Sequence, residues 1–233
     1  MGLARAHWKA LVEEASQSGG FRKTVVLSNV SGLMRGRPMQ VSIALGLMIS
    51  SLASDDFKDR VLTYEAKPRF HHVEGDSLLA RVRNLASARC AKAGTSFAAA
   101  LLVVLQVAIE AKLPKDQMPE RLLVVSHVEF HSADKTFESK WRVQRKYEAA
   151  GYDVPQLVFW NVKSETQDAP TYTGHAKVSL ISGFSKGTLR RVLAGTDTTR
   201  RQLVGDVMEN ERYNLITLPP VTATKQKRPT VVR

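Results

Sequence analysis

Cysteine, long apolar runs and acid are what this sequence has least of. Its one cysteine, Cys90, allows no internal disulfide in 233 residues, and its alanine-rich surroundings read as a small buried or half-buried side chain. That usage suits a reducing compartment, so the expected location is intracellular, in the cytoplasm. The longest apolar stretch, Phe97–Ile109, holds 13 residues with Gln106 inside it, too few to span a bilayer. No cationic, apolar and cleavage-site series opens the chain, although no acid precedes Glu13. A membrane partner is not expected.

Catalytic signatures are missing too. There is no Ser-His-Asp pattern, no nucleophile elbow, no Walker loop and no dinucleotide fingerprint, and the stretch Gly32–Gly36 is too sparse in glycine to cradle phosphates. The expectation is a protein that is not an enzyme, with no cofactor and no small-molecule substrate. His127, Glu129 and His131 alternate along one segment, which would set two imidazoles and a carboxylate on one face, but no fourth zinc ligand accompanies them. His71 and His72 are adjacent, so on a strand they face opposite ways and read as edge polar residues.

The deficit of acid sets the charge. Lys and Arg outnumber Asp and Glu by 34 to 22, giving +12, and Lys225, Lys227, Arg228 and Arg233 supply four of those charges. Such a field favours anionic partners without naming a function. Lys135, Lys140, Arg142, Arg145 and Lys146, interleaved with Trp141 and Tyr147, suit a phosphate backbone with an aromatic stacked on a base. Helical spacing turns Trp141, Val143, Tyr147 and Ala150 toward the core and leaves the cations solvated. Lys186, Arg190, Arg191, Arg200 and Arg201 form a second basic cluster.

What is present is an ordinary globular balance, 43% hydrophobic and 24% charged. Helical spacing predicts a helix from Leu3 to Ser18, packed on a sheet edge and stopped at Gly19-Gly20. Apolar runs predict strands at Thr24–Leu27, Arg60–Tyr64, Arg69–Val73, Leu122–Ser126, Gln156–Asn161 and Lys177–Ile181. Between them fall a helix from Pro38 to Leu52 that is apolar on most faces, one capped by Asp76, one capped by Thr95 or Ser96, and a basic one over Glu138–Ala150. Further helices are expected over 186–193 and 198–208, with an extended piece at 215–218. Strands alternating with helices predict an α/β fold, a mostly parallel central sheet with helices on both faces. The organisation reads as an N-terminal helix over 1–20, a domain over 21–220 and a flexible basic tail over 221–233.

The turn after the first strand, Asn29-Val-Ser31-Gly-Leu33-Met34, lies where open α/β sheets collect ligands. With Gly36-x-Pro-Met39, Ile43-Ala-Leu-Gly-Leu47, Gly94-Thr95, Arg121–Phe130, Val158-Phe-Trp-Asn161 and Ser182-Gly-Phe-Ser185, it resembles a von Willebrand factor type A-like (vWA-like) domain. The resemblance runs from about Trp8 to Gly195, and is to the C-terminal domain of a family of eukaryotic and viral proteins. In those proteins the domain follows a helical domain distantly like that of the Ro RNA-binding autoantigen. This chain begins close to the junction, so the helical domain's RNA role is not carried over.

In vWA-like folds a metal-ion-dependent adhesion site takes an aspartate and two serines from the first loop, a threonine from a second and an aspartate after the fourth strand. The resemblance aligns those positions with Asn29, Ser31, Leu33, Thr95 and His127, so only Ser31 and Thr95 keep the residue type. A hard cation needs oxygen ligands and carboxylate charge, and no metal is expected here. Glu129 is the one nearby acid that would rescue a ligand. The resemblance, with its metal loop degenerate, implies a noncatalytic protein-interaction or scaffold module. The alternative is an RNA-associated subunit of a ribonucleoprotein using Lys140, Arg142, Arg145, Lys146, Arg190, Arg191, Lys225, Lys227 and Arg228.

Overall fold

The computed structural model describes residues 2–17, 19, 21–88, 95–127, 137–162 and 178–182. All of them belong to one compact unit, Met1–Asp197. The domain end at 220, the tail and the elements expected over 186–193, 198–208 and 215–218 lie outside the described residues, as do Cys90 and His131.

Strand β1 (Thr24–Ser28) is buried at every position, as its unbroken apolar wording requires of a strand covered on both faces. It pairs in parallel with β2 (Arg60–Thr63) on one side and β4 (Arg121–Ser126) on the other. β5 (Gln156–Asn161) and β6 (Val178–Ser182) continue the parallel sheet, and β3 (Phe70–His72) closes the far edge antiparallel to β2. The order is β3-β2-β1-β4-β5-β6. It reverses direction between β1 and β4, the switch point at which loops part and leave a crevice.

Alternate strand residues feed two cores. Val26, Val61, Leu123, Val125, Val158 and Trp160 face α1 (Gly2–Gln17), α2 (Arg37–Leu52) and α3 (Leu78–Ser87). Val25, Leu27, Leu62, Leu122, Val124 and Phe159 face α4 (Phe97–Glu110) and α5 (Phe137–Ala149). Burying each such side chain contributes about 1.5–3 kcal/mol. α2 lies against β1 through Gly46, where a Cβ would stand 2.5 Å from Ser28 Oγ. No helix among the described residues is long and apolar enough to cross a membrane.

Several expectations need correction. α1 packs chiefly against α2, and its Trp8, Val12 and Ala15 join the core cluster that holds Trp160 and Ile181. α3 is capped by Ser77, whose hydroxyl accepts from Ala80 N–H at 3.2 Å, and not by Asp76. The cap residue must be extended and three residues from the amide it receives, which Ser77 is. Ser96 caps α4 in the same way at 3.2 Å, so Thr95 is released for another contact. α4 ends at Glu110, before Leu113-Pro114, because Lys112 turns left-handed (φ 51°) and Leu113 N–H reaches back to Ala108 O at 2.9 Å. Trp141, expected in the core, is 51% exposed; Val143 and Tyr147, four apart, form the buried stripe, and Trp141 sits about 200° around the helix from Val143.

Candidate functional site at the switch point

Every parallel strand ends on a polar residue: Ser28, Thr63, Ser126, Asn161 and Ser182. In register, Ser28 stands beside Thr63, and Asn161 between Ser126 and Ser182. This belt lines the carboxyl edge of the sheet, where the chain's direction reverses between β1 and β4.

Asn29 extends the pairing one residue past β1, its N–H donating to Val125 O at 3.0 Å. Its side chain is wholly enclosed. Ser31 N–H donates to Asn29 Oδ1 at 3.0 Å, and Asn29 Nδ2 donates to Ser126 Oγ at 2.9 Å. A backbone amide only donates, so Oδ1 must face Ser31 and the NH₂ is left for Ser126. Tyr64, the residue after β2, also hydrogen-bonds the Ser126 side chain. Burial raises the Tyr64 phenol above its ordinary pKa, and the bond to Ser126 lowers it in part. One hydroxyl thus joins the loops after β1 and β2 to the end of β4.

Around this chain the remaining positions separate. Ser31 is buried and its Oγ has no hydrogen-bond partner among the described residues. Met34 N–H closes the turn onto Ser31 O at 3.0 Å, and Met34, also enclosed, places Sδ against His127 Nδ1. Leu33, at the tip, is 58% exposed. Thr95 Oγ1 donates to Glu65 O at 3.0 Å, tying the start of α4 to the loop after β2. The Glu65 carboxylate accepts from Thr63 Oγ1 and from Arg69 Nε, the latter at 3.1 Å.

The structure therefore brings Asn29 and Ser31 together, holds His127 to the same loop through Met34, fastens Thr95 to Glu65 and turns Leu33 outward. Glu129, Arg190, Arg191, Lys225, Lys227 and Arg228 lie outside the described residues; Lys140 is described only in its backbone. Arg142, Arg145 and Lys146 are exposed on α5. Among the described residues no three of His, Cys, Asp or Glu gather as a metal cluster. Sequence reasoning missed Ser126 and Tyr64. A signal existed, a polar residue closing an apolar strand, but their meeting depends on which strands are neighbours.

A concavity of about 710 Å³ lies at the opposite end of the sheet, among Lys23, Lys115, Asp116, Glu120, Asp153 and Gln156. Lys23–Glu120 (2.7 Å) and Lys115–Asp153 (3.2 Å) pair across it on exposed side chains. Such pairs stabilise little, and with Asp116 the lining carries one more acid than base.

Residues 23–231, strands and crevice included, match the family described as Domain of unknown function (DUF7788). The chain belongs to that family. This DUF7788 domain is similar to "Uncharacterized protein L728" of Acanthamoeba polyphaga mimivirus, 32% identical over an alignment of 213 residues that covers 89% of this chain and 36% of that protein. The chain thus spans about a third of the length of the curated relative it matches. Among solved structures, the Deinococcus radiodurans RO (RSR) protein superposes with a TM-score of 0.49 at 15% identity, over 76% of this chain and 35% of that one.

Proposed function

We propose that this DUF7788 domain is a noncatalytic, vWA-like interaction or scaffold module, acting inside the cell, in which a hydrogen-bonded plug fills the switch point where a metal-dependent relative would hold a cation. The observation that carries this reading is the Asn29 side chain. An aspartate there would turn two charged oxygens to a cation; Asn29 commits its one oxygen to Ser31 N–H and turns an NH₂ toward Ser126. A hard divalent ion takes oxygen ligands and carboxylate charge. Leu33 supplies hydrocarbon that points outward, and His127 supplies nitrogen turned to a thioether. The residues present do not fit Mg²⁺, and no ligand capture through it is assigned. A second reading, an RNA-associated subunit, is favoured by the exposed cations of α5.

Thermal melts with and without millimolar Mg²⁺ or Mn²⁺ test the plug, run beside the triple variant Asn29→Asp, Leu33→Ser, His127→Asp. A cation bound only by the folded state raises the midpoint by mass action, about 2.7 kcal/mol at a hundredfold excess over its dissociation constant. The natural chain is expected to hold its midpoint while the variant rises by several degrees. A rise in the natural chain restores a metal-dependent role and defeats the proposal.

A further inference from the structure

Helix α5 carries an outward face that the closed crevice does not use. Val143 and Tyr147 seat its inner side, and the Tyr147 hydroxyl donates to Leu101 O of α4 at 2.7 Å. Just beyond α5, the Tyr152 hydroxyl donates to Leu113 O at 2.8 Å. The helix is thereby fixed along its carboxyl half, and what it shows to solvent is fixed with it.

That face holds an indole and three cations. Trp141 is 51% exposed, and Arg142, Arg145 and Lys146 are exposed beside it. Arg145 follows Trp141 by four positions, Arg142 and Lys146 are four apart, and Arg142 and Arg145 are three apart, the spacings at which helical side chains adjoin. None of the three cations has an ion-pair partner among the described residues. Glu148 accepts from Gln144 Nε2 at 2.8 Å, and Glu138, four positions before Arg142, is described only in its backbone. Like charges at these spacings repel by a few tenths of a kcal/mol per pair. They sit in a chain of net charge +12.

We infer that this face binds single-stranded nucleic acid, with Trp141 as the stacking platform and Arg142, Arg145 and Lys146 as phosphate contacts. An exposed indole beside guanidinium groups matches a strand that carries a phosphate and a flat base in every residue, and base–aromatic stacking tolerates any base. Guanidinium planes stack on bases as well as pairing with phosphates, so two of the three cations serve both purposes. The strand must be single, because only unstacked bases expose a face to the indole. The inference rests on the RNA-associated reading and deepens it by giving it a binding face, and it makes no use of the crevice.

The test titrates the full chain with short oligouridylate and oligothymidylate in EDTA, by fluorescence anisotropy over a range of salt. Metal is absent, so failure here leaves the plugged-crevice reading standing, and failure of that reading leaves this one. Trp141→Ala is expected to weaken binding about five- to hundredfold, with Trp141→Phe retaining most of it. Arg142→Gln, Arg145→Gln and Lys146→Gln together are expected to flatten the slope of log affinity against log salt by about 2. Melting midpoints near that of the natural chain show that lost affinity is not lost fold. Binding that is absent from the natural chain, unchanged in Trp141→Ala, or lost only on deleting residues 221–233 overturns the inference. So does polyglutamate bound as tightly as the oligonucleotides.

Discussion

Asn29 and Ser126 stand 97 residues apart in the chain and share a hydrogen bond of 2.9 Å inside a space closed to solvent. The bond crosses the switch point, so it holds together the two loops that would otherwise part. Ser126→Ala leaves the Asn29 NH₂ buried without its acceptor and removes the partner of Tyr64. A buried donor stranded in this way costs about 1–3 kcal/mol. In a domain of this size each kcal/mol lowers the melting midpoint by about 2–4 °C. Tyr64→Phe should cost less, since Ser126 keeps Asn29. The double variant should cost less than the sum, because both changes dismantle one network. Additive losses would mean that the two bonds are independent.

Gly46 gives a prediction whose sign depends on a neighbour. Its missing Cβ would meet Ser28 Oγ at 2.5 Å and Leu85 Cδ2 at 3.1 Å, and Ser28 Oγ already donates to Ser42 O. Gly46→Ala therefore forces the hydroxyl out of place or pushes α2 off β1, at about 1–3 kcal/mol. Against this, alanine gains about 1 kcal/mol of helix propensity over glycine. In the Ser28→Ala background the hydroxyl is gone and only the flexible tip of Leu85 must yield. There Gly46→Ala is expected to be neutral or stabilising in urea unfolding, while in the natural chain it is destabilising.

Legibility in the sequence tracks the range of the interactions. β1, β4 and β5 announce themselves as apolar runs because both faces of each are covered, and α2 does so because it touches both the sheet and its neighbouring helices. The turn at Asn29 is legible for the same reason: an Asx side chain bonding two residues on is local chemistry. Ser126 and Tyr64 escape a reading of the sequence because their bond exists only once β1 has come between β2 and β4. Trp141 misleads for a different reason. Hydrophobicity places it on the apolar stripe, but two positions from Val143 is nearly the opposite side of a helix. The periodicity, taken strictly, already turns it outward.

Alkaline pH should unfold the domain earlier than its charge alone implies. Burial pushes the Tyr147 phenol far above its ordinary 10.0. Desolvation raises Tyr64 too, against the opposing bond to Ser126. Both folded-state values are raised, so neither group alters stability below about pH 10. Above it the unfolded chain releases phenolic protons that the folded chain retains, and stability falls as pH climbs toward the folded values. Tyr147→Phe forfeits the bond to Leu101 O, about 1 kcal/mol at neutral pH, but lacks this alkaline penalty. Midpoints of the two chains, tracked from neutral pH to about pH 11, should converge. Parallel decline would show that Tyr147 ionises equally in both states.

Asn29→Asp alone separates loss of a metal site from loss of a fold. The position is wholly buried, and a carboxylate there would be charged in a space now organised around an amide. Ser31 N–H and a rotated Ser126 hydroxyl would still donate to it, so the penalty is partial, about 2–4 kcal/mol at neutral pH. Desolvation raises the folded-state pKa of such a group, which fixes the sign: the penalty is present above that raised value and fades as pH falls toward the ordinary carboxyl range near 4. If Ser31 and Thr95 retain the oxygen set of a cation site, Mg²⁺ should recover part of the loss at neutral pH and none at acid pH, where the carboxyl is protonated. Thr95 now donates to Glu65 O, so any recovery should be small until Leu33→Ser is added. Full recovery by Mg²⁺ in the single variant would mean that the crevice is one charge short of a metal centre and that the plug is incidental.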